Sequence, residues 1–278
     1  MTAEVAAHAG GALTISRWRT LTATMVLLAL AWITSHWDVF LRHMPLIVGS
    51  SLTAAVLGEF CLNKAFRELG ARRTALLFAT AAPFSVIVGW LFLAEVPSTG
   101  HLLGITQIVV GLVLAIWFAP LHESRGGRHA ELSASILAIL VGLTAGLGQA
   151  LGNVMSHAVL TDGGDPVAVM ALRAVVATTA FWSIWLVLRA AGKPQVFAPK
   201  PRVLAVLIAG ACVSFALGNI LLMIALRAGN TGVVTTFAAT TPVVLLPLTW
   251  WRSGRCPSML AWLGAALTVA GIACIALF

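Results

Sequence analysis

The feature that most limits this chain is the recurrence of apolar runs about twenty residues long, the length a helix needs to cross the hydrocarbon core of a bilayer. Nine such runs follow one another, at about 15–37, 45–65, 73–94, 100–119, 132–154, 167–189, 202–226, 231–250 and 258–278, each bounded by charges, Pro or Gly. A soluble domain carries charge on about a quarter of its residues; here the share is 9%, against 60% apolar. Water cannot be the only solvent of such a surface. The expected fold class is an all-α integral membrane protein of about nine transmembrane helices. The connections are too short to hold a soluble catalytic domain. The first run is too long for the apolar core of a cleaved signal. Cys61, Cys212, Cys256 and Cys274 form no CxxC pair and read as small apolar residues.

A net charge of +8 on 278 residues raises the question of nucleic acid. The basic residues, however, lie in the connections between apolar runs and not in one patch, which excludes that reading. Nine spans place the connections alternately on two sides. Fourteen of the 17 basic residues then fall on the side of the N-terminus, and only Arg42, Arg173 and Arg227 on the other. The excess of Lys and Arg on cytoplasmic loops orients membrane proteins. The N-terminus is therefore expected in the cytoplasm and the C-terminus outside, in a bacterial cytoplasmic membrane.

The chain also repeats itself. Gly70, Phe78-Ala79 and Pro83 coincide with Gly229, Phe237-Ala238 and Pro242 at an offset of 159, and one residue later Gly104 and Gly111 match Gly264 and Gly271. Arg17, early in the first span, matches Arg173, early in the sixth. Spans 1–4 thus correspond to spans 6–9, and span 5 has no partner. The first span begins inside and the sixth begins outside, so the two halves are inverted repeats of four and five helices, as in alternating-access transporters. The expected organisation is a short cytoplasmic segment over 1–14, a first repeat over 15–119, a cytoplasmic linker over 120–131 and a second repeat over 132–278.

On these residues the chain resembles the EamA domain of the drug/metabolite transporter superfamily. The second half carries Asp165-Pro166 leading into Leu172-Arg173, then Ala225-Leu226-Arg227-Ala228-Gly229, Pro242, Leu263-Gly264-Ala265-Ala266-Leu267 and Gly271. The first half carries Ala65-Phe66, Gly70, Pro83, Leu93-Ala94-Glu95 and the Gly104/Gly111 pair. The resemblance implies ten helices around a central substrate cavity and, most often, export of small organic metabolites. Two departures stand out. The first helix of the first repeat is expected to be absent, and the acidic Glu95 has no counterpart in Trp251–Arg255.

Few side chains in the spans can carry chemistry. Glu59 is the one carboxylate well inside a span, with Asn63 at i+4 on the same face. A charge at that depth is expensive unless paired, protonated or wetted. Two readings stand: a proton-coupling or cation-binding carboxylate, or a side chain reaching toward Lys64 or Arg67. In span 5, Gly142, Gly146, Gln149 and Asn153 form one helical stripe, which either lines a cavity or packs against another helix. Arg173, like Arg17, sits about two turns into its span, where it either braces a helix junction or meets an anionic solute. Pro83 and Pro242 are expected to kink their spans, with Thr80, Thr240 and Thr241 close enough to satisfy the freed carbonyls. Asn219 is a further amide inside a span. Asp162 and Asp165 share one loop of ordinary turn composition. No catalytic constellation, no metal-ligand spacing and no cofactor motif is present, so no enzyme is expected.

The expected function is secondary active transport, outward, of a small organic solute, driven by a gradient of protons or of a solute, with the lipid bilayer as the other partner. Glu59, Asn63, Thr80, Pro83, Gln149, Asn153, Arg173, Asn219, Thr240, Thr241 and Pro242 are the substrate-site candidates. The alternative is a non-transporting subunit or one part of a split assembly. The sequence leaves the oligomeric state open.

Overall fold

The computed structural model describes residues 12–34, 40–94, 96–118, 136–192, 201–238, 240, 251 and 258–277. Glu95, Thr241, Pro242 and the expected linker lie outside them. Within the described residues every regular element is helical: α1 (Ala12–Thr34), α2 (Phe40–Ser50), α3 (Glu59–Ala79), α4 (Ala81–Leu93), α5 (Thr99–Trp117), α6 (Ile136–Thr161), α7 (Pro166–Ala190), α8 (Pro201–Gly210), α9 (Gly218–Ala228), α10 (Thr231–Ala238) and α11 (Met259–Leu277). Two π-helical segments join neighbours without a break, Ser51–Gly58 between α2 and α3 and Ala211–Leu217 between α8 and α9.

Outside residues 66–80 the described helices fall within a few residues of the expected spans. Among the described residues Arg42–Phe66, Ile136–Thr161, Pro166–Ala190 and Leu204–Ala228 are each long and apolar enough to cross a bilayer. Large apolar side chains stand open where a soluble protein would bury them: Trp32, Ile33, Trp90, Phe92, Leu137, Val187, Val213 and Met259 are all more than half exposed. Helix starts are capped by side chains. Asp165 accepts from the N–H groups of Val167 and Ala168 at 3.0 Å, with Pro166 in the first turn where its missing N–H costs nothing. Ser98 accepts from His101 N–H, and Asn230 from Gly232 N–H. Asp162, in the same turn as Asp165, meets His43 Nε2 at 2.8 Å.

Two local expectations are corrected. The connection expected near residues 66–72 is helical, since α3 runs from Glu59 to Ala79. The segment around Gly70-Ala71-Arg72-Arg73 has one glycine, no proline and otherwise good helix formers, so charge alone does not break it. The break falls instead at Thr80. Pro83 then stands in the first turn of α4, where proline is tolerated, and not in a helix interior. The same pair of threonine bonds is built in both repeats. Thr80 donates both N–H and Oγ1 to Leu77 O, and Thr240 donates both to Phe237 O.

The chain forms two compact units, and neither is a sequence repeat. The first comprises Met1–Lys64 and Leu151–Gly229 and the second Ala65–Ala150 and Asn230–Phe278. Each therefore takes helices from both repeats.

In the first unit α1 packs along its repeat counterpart α7. Arg17 stacks on Trp182 and Trp185, while Thr24 and Thr178 share a hydroxyl hydrogen bond of 2.8 Å. Positions rising along α1 meet positions falling along α7, so the counterparts are antiparallel. The segment Ser51–Gly58 rests on α7 and the segment Ala211–Leu217 rests on α1. The second span of each repeat thus leans on the first span of the other, as inverted repeats require.

In the second unit α5 packs on its counterpart α11 through glycine. A Cβ on Gly111 would lie 2.5 Å from Gly264 O, and one on Gly271 would lie 2.7 Å from Gly104 O. The four glycines that mark the repeat are one reciprocal, antiparallel crossing. α4 and α10, also counterparts, pack together, with Gly232 against Val86. Ile105 and Ile108 form the buried centre, covered by Val86, Val109, Val233, Phe237 and Ile272.

Candidate functional site

One cluster of polar groups in the first unit lies where α1 meets the second span. Glu59 opens α3 directly after the π-helical segment and is buried. Ser16 and Arg19 stand three residues apart on α1, hence on one face. Arg19 Nη1 is 3.1 Å from Glu59 Oε1. Ser16 Oγ donates to the same oxygen at 3.5 Å and accepts from Asn63 Nδ2 at 3.1 Å. The pairing of Glu59 with Asn63 on one face is as the i+4 spacing suggested. The cation that spacing on one helix could not reveal is Arg19, from a different span. The available signal was Ser16 three residues before Arg19, masked because Arg19 counts among the basic residues on the side of the N-terminus. A buried carboxylate held by a guanidinium, a hydroxyl and an amide remains at bilayer depth without facing lipid. Such a group can bind and release a proton with its cation as the alternative partner.

Arg173 lies in a second cluster of the same unit. It is 4% exposed, and its Nη2 donates to Ser50 O at 3.4 Å while Nη1 lies 3.6 Å from Met223 Sδ. Ser51 Oγ donates back to Arg173 O at 2.6 Å. Its repeat counterpart Arg17 is fully buried, with its guanidinium carbon 4.8 and 4.5 Å from the ring centroids of Trp182 and Trp185. Trp18 and Trp185 each meet Trp182 edge-on, at 6.1 and 5.6 Å. Arg173 thus meets a backbone carbonyl and a sulfur, and Arg17 two aromatic faces.

The remaining candidates are dispersed. Asn153 is buried and Asn219 half-buried in the first unit. Thr80, Pro83, Gln149 and Thr240 belong to the second unit, and all four are partly exposed. Thr241 and Pro242 lie outside the described residues. The glycines of the α6 stripe are packing contacts. A Cβ on Gly142 would strike Leu77, and one on Gly146 would come within 2.7 Å of Thr80 Oγ1. Farther along the helix, one on Gly152 would strike Ala54 and Ser50 O. The structure thus joins Glu59 to Asn63, keeps Arg173 apart from them, and gives Thr80 to a helix end. Among the described residues no group of three His, Cys, Asp or Glu side chains converges to hold a metal.

A family model described as the EamA-like transporter family matches residues 2–117 and 136–277, one match on each repeat. A protein known from a crystal structure shares the fold with a TM-score of 0.76 over 99% of this chain and 90% of its own, at 14% identity. No curated protein matches the sequence.

Proposed function

Because the chain belongs to the EamA-like transporter family, we propose that it is a secondary active transporter that exports a small organic solute across a bacterial cytoplasmic membrane. The two inverted repeats supply the mechanical basis, since alternating access exchanges the conformations of two antiparallel halves. Family and antiparallel packing support the transporter reading. The buried Glu59–Arg19 pair supports proton coupling. In the structure Arg19 holds the carboxylate. Protonation of Glu59 removes its charge and frees it from Arg19, and this couples proton movement to a change of helix packing. Ser16 donates to the carboxylate and is itself held by Asn63, so a neutral hydroxyl stays beside Glu59 when the charge is gone.

The test uses everted membrane vesicles with an imposed pH gradient and a pH-sensitive dye. Small neutral and zwitterionic solutes are added one at a time. At least one solute should discharge the gradient with the wild type and fail to do so with Glu59→Gln. A solute that moves with the same pH dependence in both removes Glu59 from the coupling role.

A further inference from the structure

The π-helical segment Ser51–Gly58 ends where Glu59 begins, and the second π-helical segment ends at the equivalent register, since Gly58 and Leu217 differ by the repeat offset of 159. Neither segment contains proline. A π-helix bonds each N–H to the fifth preceding carbonyl, holds more residues per turn than an α-helix, and is frequent at functional sites. The extra residue sets the rotation of everything beyond it.

At the entrance to the first segment the backbone carbonyls accept side-chain donors. Ser50 Oγ donates to Ile47 O at 2.8 Å, and Thr53 Oγ1 donates to Gly49 O at 2.8 Å. Arg173 Nη2 donates to Ser50 O, and Ser51 Oγ returns a bond to Arg173 O. The last two form a reciprocal clamp between α7 and the first turn of the π-helix. Arg173 is a buried guanidinium with no carboxylate bonded to it among the described residues.

We propose that Arg173 is a positioning residue that fixes the wide turn at Ser51–Gly58 and thereby the register of Glu59 against Arg19. The proposal rests on the reading of Glu59 as the coupling carboxylate. An α-helix turns about 100° per residue. If the wide turn migrated beyond Asn63, each residue between would shift by one position. Gly58 would then stand opposite Arg19 in place of Glu59, and Leu62 opposite Ser16 in place of Asn63. Glu59 would leave its ion pair without either flank of the span moving. The clamp holds the paired state, and its release is the step that lets the carboxylate turn away.

Disulfide formation reads the register directly and requires no solute. Cys61, Cys212, Cys256 and Cys274 are changed to Ser. Ser16→Cys is combined with Asn63→Cys or with Leu62→Cys, and the linked peptides are quantified by mass spectrometry after oxidation in native membranes. With Arg173 present the 16–63 link should dominate. Arg173→Gln should lower the ratio of the 16–63 to the 16–62 link by about tenfold or more, the scale of one lost charged hydrogen bond, and Arg173→Lys should restore it. Ser51→Ala, which removes only the returning bond, should lower the ratio in the same direction if the glutamine variant does not fold. A merely structural role would lower both links together and leave the ratio unchanged. An unchanged ratio in the folded variants overturns the proposal. That outcome leaves the Glu59 test on transport untouched, and an inert Glu59 with a shifting ratio retires only the coupling role.

Discussion

Substituting Gly111 by Ala adds one methyl group to the crossing of α5 and α11. That methyl would lie 2.5 Å from Gly264 O, 2.6 Å from Thr268 Oγ1 and 2.7 Å from Thr268 N. Ordinary contact begins near 3.4 Å, so the helices must separate by nearly an ångström. Two of the three obstructing atoms are backbone, and no rotamer change relieves them. Overpacking of this kind costs about 1–3 kcal/mol, or a fall in apparent melting temperature of roughly 2–12 °C at about 2–4 °C per kcal/mol. Gly210→Ala is the control. It also lies in a helix, but a Cβ there meets nothing within 4 Å, and loss of unfolded-state freedom should raise stability by about 0.4–1 kcal/mol. The assay is retention of the monodisperse peak after heating in detergent. The opposite signs are the prediction. A Gly111→Ala protein at least as stable as Gly210→Ala would refute the close antiparallel crossing.

Trp185→Leu should lower the melting temperature through the loss of a desolvated cation–π contact worth about 2 kcal/mol. Arg17→Lys should not preserve that stability, because an ammonium cannot stack as a planar guanidinium does. In the ion pair, Arg19→Ala and Glu59→Gln should each destabilise, and the double variant should recover part of the loss with a coupling of about 0.5–3 kcal/mol; strictly additive losses would dissolve the pair.

The helical spans and the inverted repeat were legible because bilayer thickness and positional recurrence write themselves directly into sequence. Gly104, Gly111, Gly264 and Gly271 marked the repeat before they were seen to be the crossing itself. Helix breaks were less legible. A run of charge around Arg72 resembles a connection, yet nothing in it lacks an N–H and the single Gly70 costs a helix interior only about 1 kcal/mol, so the helix continues to Ala79. Glu59 and Asn63 were found by spacing on one helix. Arg19 was not, since a contact between spans depends on helix rotation, and the π-helical turns that set this rotation contain no proline to mark them. The spacing of the α6 stripe fits packing and cavity lining alike, and its glycines, Gly142 and Gly146, pack on Leu77 and Thr80.

Opposed threading of the two repeats carries the whole account, and impermeant maleimide labelling tests it within one unit. Thr161→Cys precedes α7, Ala191→Cys follows it, and an epitope at the N-terminus precedes α1. Label should reach position 161 in intact cells, and position 191 and the epitope only after permeabilisation. Position 161 and the N-terminus appearing on the same face would contradict the antiparallel pairing of α1 with α7.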